Sequence, residues 1–213
     1  MNISASSMQS NHVLLIHGLW NLRLWLLPLA RRLQPAGFKT HLFGYATVAA
    51  PLTVAVERLI TTLGRSETPV DVIGHSLGGL LALEALRQAP DLPIKRLVCL
   101  GSPLNGSLVA RRLADQTWGK CLLGHSRARL CAGSAPWHSP VQVGMIAGNR
   151  ARGLGRILVR FKGESDGTVA LEETDLPCLT DRCIVDASHS GLVLSADVAR
   201  QCVHFLQQGR FAR

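Results

Sequence analysis

Acidic residues are scarce in this sequence, there is one tyrosine, and no long apolar run occurs. No stretch approaches the ~18–20 apolar residues that a membrane-spanning helix needs, which excludes an integral helical membrane protein. The first ten residues, MNISASSMQS, carry no lysine or arginine and no apolar core. Both parts of a secretory signal are therefore missing, and a cytoplasmic location is expected. The six cysteines (Cys99, Cys121, Cys131, Cys178, Cys183, Cys202) lack metal-ligand spacing. Only Cys178 and Cys183 fall close together, with no second pair nearby, so zinc is not expected. Without a signal the six read as buried or idle thiols, not as a disulfide framework. The four tryptophans are scattered and none is interleaved among the basic residues. No nucleic-acid motif occurs, so a nucleic-acid partner is not expected. Internal repeats and low-complexity tracts are also absent.

What is present is the composition of a folded protein: 47% hydrophobic, 17% charged, with 20 glycines and 10 prolines spread along 213 residues. Disorder, collagen and coiled coil are excluded on those proportions. The length fits a single domain spanning residues 1–213, able to bury roughly 70% of its unfolded surface. Twenty-three basic residues face 14 acidic ones, a net charge of +9. The excess is uneven. Residues 141–162 hold Arg150, Arg152, Arg156, Arg160 and Lys162 without an acid, and residues 104–133 hold Arg111, Arg112, Lys120, Arg127 and Arg129 against Asp115 alone. Two readings stand: a solvated basic face, or attraction to anionic lipid headgroups or anionic substrates.

Short apolar runs alternate with helical patterns, as in an α/β protein with parallel strands. Strands are expected at His12–Ile16, Phe38–Tyr45, Val70–Gly74, Arg96–Gly101, Arg156–Phe161 and Arg182–Asp186. Helices are expected at Leu24–Leu33, where Pro28 starts or disturbs the pattern, at Thr53–Leu63, at Leu77–Arg87, and at Ser195–Gln207 with Ser195 as N-cap. Residues 104–146 differ in kind: basic, irregular, with one or two short helices near Ser107–Ala114.

The central signal is Gly74-His75-Ser76-Leu77-Gly78-Gly79, a G-x-S-x-G between a strand and a helix. A strand turning directly into a helix forces its corner residue into strained geometry and lifts that side chain above the sheet. Glycines two residues either side are required because a Cβ there would strike the neighbouring strand or helix. The turn aims Ser76 at a helix N-terminus, where free N–H groups and the dipole favour developing negative charge. His17-Gly18-Leu19-Trp20, leaving the first strand, offers a second backbone donor. The N–H groups of Leu19 and Leu77 together would form an oxyanion hole. An ordinary strand–helix turn is the alternative reading of His17-Gly18.

A serine nucleophile needs a base, and the base an orienting acid. His189 lies in a loop after a late strand, whereas His204 falls inside the last helix, so His189 is the expected base. Asp166, in Gly163-Glu-Ser-Asp166-Gly-Thr-Val, is the expected acid, with Glu164 and Asp186 as competitors.

Taken together, HG at 17–18, GHSLGG at 74–79, LGSPLNGS at 100–107, SDGTV at 165–169 and SHSGL at 188–192 resemble the lipase-like serine esterases of the α/β-hydrolase superfamily. The resemblance spans nearly the whole chain. It implies a three-layer α/β-hydrolase fold with a reduced, mainly parallel sheet of about six strands. It also implies a Ser76–Asp166–His189 triad and the oxyanion donors Leu19 and Leu77. Residues 104–146 fall where such enzymes carry a small cap, and Trp118, Leu122, Leu123, Trp137 and Met145 would form its apolar underside; the same residues could equally complete the core. Trp20, His75, Leu104, Trp118 and Trp137 are the expected substrate contacts. The implied activity is hydrolysis of small-molecule or lipid carboxylic esters without metal or organic cofactor, with peripheral contact to an anionic membrane surface compatible with it. A thioesterase, amidase or acyltransferase using the same triad, and a non-catalytic binding protein, are the alternatives.

Overall fold

The structure is a computed structural model and describes residues 11–153 and 155–213. Six strands form one sheet: β1 His12–Ile16, β2 Lys39–Phe43, β3 Val70–His75, β4 Ile94–Leu100, β5 Gln142–Gly148 and β6 Asp181–Val185, in the order β2-β1-β3-β4-β5-β6. Every pairing is parallel. The helices are α1 Leu27–Leu33, α2 Leu52–Gly64, α3 Leu77–Gln88, α4 Leu108–Ala114, α5 Thr117–Leu123, α6 Arg127–Ala132, α7 Gly155–Leu158 and α8 Ala196–Gln208. Pro28, near the start of α1, begins that helix rather than breaking it. Ser195 Oγ accepts the Val198 N–H and caps α8.

Helices cover both faces, so the central strands are apolar on both sides. Val13 and Leu15 of β1, with Ile73, Val98, Leu100 and Ile146, face α1 and α8. Leu14 and Ile16, with Val72, Leu97, Cys99 and Met145, face α2, α3 and the short helices α4–α6. This is the two-residue alternation of a pleated strand, written into HVLLI as an unbroken apolar run. From β1 the chain crosses to the β2 edge, then returns past β1 to β3 and continues the other way. The direction of winding therefore reverses between β1 and β3, and a crevice opens there at the carboxyl ends of the strands. His17-Gly18 and Ser76 leave the sheet at that point.

Two sequence expectations are corrected. Arg156–Phe161 is not a strand; its first residues belong to α7, and Val159 and Phe161 are half-buried against the core. The fifth strand is Gln142–Gly148, inside the stretch expected as insertion, so Met145 is a fully buried core residue and not part of a cap. Glycines at 144 and 148 had masked the strand pattern. Gly144 is needed because Phe205 and Phe211 pack where its Cβ would stand, 2.6 Å from the Phe205 ring.

Far from the crevice, Asp71 of β3 is 1% exposed, and one of its oxygens has no hydrogen-bond partner. A register shift in the β3–β4 pairing sets Lys95 and Arg96 against it. Burial pushes its carboxyl up from 3.8 to about 6, the two cations opposing only part of the shift. The folded-state value is raised, so its stabilising contribution is complete below pH 4 and is lost as pH climbs through 6. Asp71→Asn is therefore expected to be more stable than wild type at pH 8 by about 1–2 kcal/mol. Urea unfolding at pH 8 and pH 4.5 checks this, since the gap should narrow at the lower pH.

Candidate active site

Ser76 stands between β3 and α3 at φ 53°, ψ −119°, in the left-handed region that ordinary residues avoid. Among the described residues only one other non-glycine, Trp20, has a positive φ. The corner is held by Ser76 N–H donating to the Leu100 carbonyl at 2.8 Å and by Gly79 N–H donating to the Ser76 carbonyl at 3.1 Å. Its glycines are steric necessities. A Cβ on Gly74 would lie 2.5 Å from the Gly79 nitrogen, and one on Gly78 would lie 2.4 Å from the Ile16 carbonyl oxygen. Gly79 would meet Ser102 Oγ at 2.1 Å. The N-terminus of α3 is thereby pressed onto the end of β1, and the Leu77 N–H, first in its helix, has no intrahelical acceptor.

The loop leaving β1 is fixed by groups that sequence reasoning missed. The lone tyrosine, Tyr45, donates its hydroxyl to the His17 carbonyl at 3.0 Å and its N–H to His17 Nε2 at 3.4 Å, and the two rings stack. His17 Nδ1 lies 3.0 Å from the Gly18 carbonyl, so one neutral tautomer satisfies both contacts. Burial lowers the His17 pKa, which favours that neutral form. Gly18 packs directly on the elbow, where its Cβ would stand 2.9 Å from Ser76 Cβ. Leu19 and Ser76 border the same cavity.

Asp166 is fully buried in a tight turn after α7. Its Oδ1 accepts the N–H groups of Thr168 and Val169 at 2.9 and 2.7 Å, leaving Oδ2 for His189 Nδ1 at 2.6 Å. His189 N–H also donates to the Asp166 carbonyl at 2.9 Å, so the two loops are joined twice. Gly101, at φ 54° beyond β4, passes beneath the pair, with Asp166 Oδ2 3.1 Å from where its Cβ would be. His189 borders the cavity that Ser76 lines, although no hydrogen bond links Ser76 Oγ to it. In unliganded sites such contacts are often long and tighten only around substrate. Glu164 and Asp186 do not touch His189; Asp186 pairs with Arg150 at the surface, and His204 hydrogen-bonds the Arg210 carbonyl.

The cavity holds about 520 Å³ and is mostly apolar, walled by Leu113, Leu123, Leu130 and Leu158. Of the expected substrate contacts, Trp20 and Trp118 line it, whereas His75, Leu104 and Trp137 do not. Leu104 and Trp137 are core residues of the α2–α3 face. His75 lies buried beneath His189, its Nε2 3.1 Å from the His189 carbonyl and its ring 4.9 Å from the His189 ring. Burial, reinforced by the neighbouring His189, pushes its pKa down to about 3. It therefore stays neutral and donates to that carbonyl.

Several solved structures share this architecture. A lipase from Bacillus licheniformis, BlEst2 in its mature form, superposes with a TM-score of 0.72 over 97% of this chain and 95% of its own, at 16% identity. The metagenomic carboxyl esterase MGS0156 gives 0.66 over 86% of this chain and 65% of its own, at 18% identity. An extracellular α/β-hydrolase from a Paenibacillus species gives 0.57 over 95% and 100%, at 13% identity. The chain has the α/β-hydrolase fold. No protein-family model matches the sequence, and no curated protein does. The α/β-hydrolase sheet here has six strands, all parallel.

The close packing of the elbow predicts a large difference between two glycine substitutions. Gly78→Ala should cost about 2–3 kcal/mol, since backbone on both sides must move. Gly163→Ala, with nothing within 4 Å, should change stability by less than about 0.5 kcal/mol. Urea midpoints of the two variants measure the contrast.

Proposed function

We propose that this protein is a serine hydrolase acting on carboxylic esters. The observation that carries the reading is the joint placement, on one apolar cavity, of a strained Ser76 at a helix N-terminus and of His189 bonded to the buried Asp166. Likeness to a lipase and a carboxyl esterase supports it at the level of fold.

In this reading Ser76 Oγ attacks the acyl carbonyl while His189 Nε2 takes its proton. Asp166 fixes the imidazole with Nδ1–H toward Oδ2 and stabilises the imidazolium that forms. The N–H groups of Leu19 and Leu77 receive the oxyanion, with the α3 dipole behind the second. His189 returns the proton to the leaving alcohol. Water then attacks the acyl carbonyl as His189 removes its proton, and the carboxylic acid departs as His189 returns that proton to Ser76 Oγ. The apolar walls suit the acyl chain or alcohol of a small-molecule or lipid ester. Residues 104–141 would act as the cap, α5 and α6 forming the wall opposite the elbow. The six free thiols fit a reducing, cytoplasmic compartment.

Labelling with a fluorescent fluorophosphonate tests the reading without assuming a substrate. Wild type should label, and Ser76→Ala and His189→Ala should not. Each variant should hydrolyse p-nitrophenyl butyrate at least about a thousandfold more slowly. Undiminished labelling of a folded Ser76→Ala protein would remove the assignment.

A further inference from the structure

The mouth of the cavity exposes more apolar surface than a soluble ester substrate requires. Leu22 is 73% exposed and Trp20 and Trp118 are each 54% exposed, joined by Leu24, Trp25 and Leu122. These six side chains come from two segments, 20–25 and 118–122, that meet where Trp20 bonds Leu122. Trp20 Nε1–H donates to the Leu122 carbonyl at 2.9 Å, and Trp20, Trp118 and Leu122 all border the cavity. Single exposed apolar residues need no explanation, but a cluster around an apolar opening marks a contact surface.

Charge identifies what would cover it. No aspartate or glutamate occurs between residues 1 and 56 or between 116 and 163, so both mouth segments lie in acid-free stretches. Exposed cations flank these residues in the chain: Arg23 lies between Leu22 and Leu24, and Lys120, on α5, lies between Trp118 and Leu122. The closest acid along the chain, Asp115, precedes α5. We infer that this mouth docks on a lipid bilayer carrying anionic headgroups, with the tryptophans and leucines at the acyl boundary and Arg23 and Lys120 at the phosphates. Tryptophan suits that boundary because its ring is amphipathic. A second copy of the chain fits less well. In a two-fold contact this patch would meet itself, setting Arg23 and Lys120 against cations with no carboxylate to pair.

Docking is independent of the proposed chemistry, so it is measured with Ser76→Ala, which leaves lipid intact. Protein is sedimented with vesicles of phosphatidylcholine alone or with about 30 mol % phosphatidylglycerol, near the ~0.1 M salt at which the Debye length is about 10 Å. Binding to the anionic vesicles should be stronger by about tenfold or more, with a blue shift of tryptophan emission and quenching by brominated acyl chains. Arg23→Gln and Lys120→Gln should each weaken binding by about fivefold. Leu22→Ser combined with Leu24→Ser should abolish the quenching. Placed in the Ser76 background, those four exposed positions should leave hydrolysis of a water-soluble ester unchanged, and circular dichroism shows that the variants fold. Three results would overturn the inference: equal binding to both vesicle types, anionic binding without tryptophan quenching, or a lipid-free dimer that Leu22→Ser dissolves.

Discussion

Everything at the carboxyl end of the sheet depends on one close approach, that of the α3 N-terminus to the end of β1. The chain has a single residue, Ser76, in which to turn from strand to helix. It manages this only with a left-handed φ, at a cost of about 1–3 kcal/mol. Strain of that kind persists where the surroundings overdetermine the conformation. Here the Leu100 carbonyl holds the Ser76 N–H, and Gly78 allows α3 to sit against the Ile16 carbonyl. The same contact brings Gly18 onto Ser76, so the exits of β1 and β3 form one rigid floor instead of two independent loops.

The remaining groups are set on that floor by backbone-directed bonds more than by side-chain pairs. Asp166 spends one carboxylate oxygen on two N–H groups of its own turn, which leaves the other aimed at His189. Two further histidines, His17 and His75, are buried on either side, and burial lowers the pKa of both. A cation at either place would oppose formation of an imidazolium at His189. Kept neutral, each acts as a hydrogen-bonding strut, His17 for the loop leaving β1 and His75 for the loop carrying His189.

Much of this was legible in the sequence because it is local. HVLLI, VDVIG and GHSLGG each contain their own reason for folding as they do, and Asp166-Gly167-Thr168 encodes a turn that needs no distant partner. What was not legible depends on pairings far apart in the chain. Gly144 breaks the apolar run of β5 because Phe205 and Phe211, some sixty residues on, require the space. Residues Arg156–Phe161 look more like a strand than β5 does, yet β6 already occupies the place beside β5. Tyr45 could not have been tied to His17, since nothing in ATVAAP predicts which way a loop folds back. Trp137 and Leu104 read as substrate contacts from their place in the irregular stretch, but they face the core.

The wall opposite Ser76 is tied at its rim, not through its lining. Trp20 Nε1 reaches Leu122, Ser126 Oγ donates to the Thr47 carbonyl, and Arg129 reaches Glu84 at 2.8 Å. Glu84, on the buried helix α3, is held well below the usual carboxylate range, at about 2, chiefly by the bond from Arg87, with Gln88 and Arg129 adding to it. Glu173 accepts the first N–H of α4 and also that of Ala170, joining this wall to the Asp166 turn. The polar ties thus position α4–α6 while the cavity itself stays apolar. In an ester hydrolase built this way, direction would come from the floor, where Ser76, His189 and two backbone N–H groups would fix the reacting carbonyl. The apolar walls would add affinity in increments of about 0.8 kcal/mol for each buried methylene, without fixing orientation. Selectivity would then grade smoothly with chain length along the walls formed by Leu113, Leu123, Leu130 and Leu158.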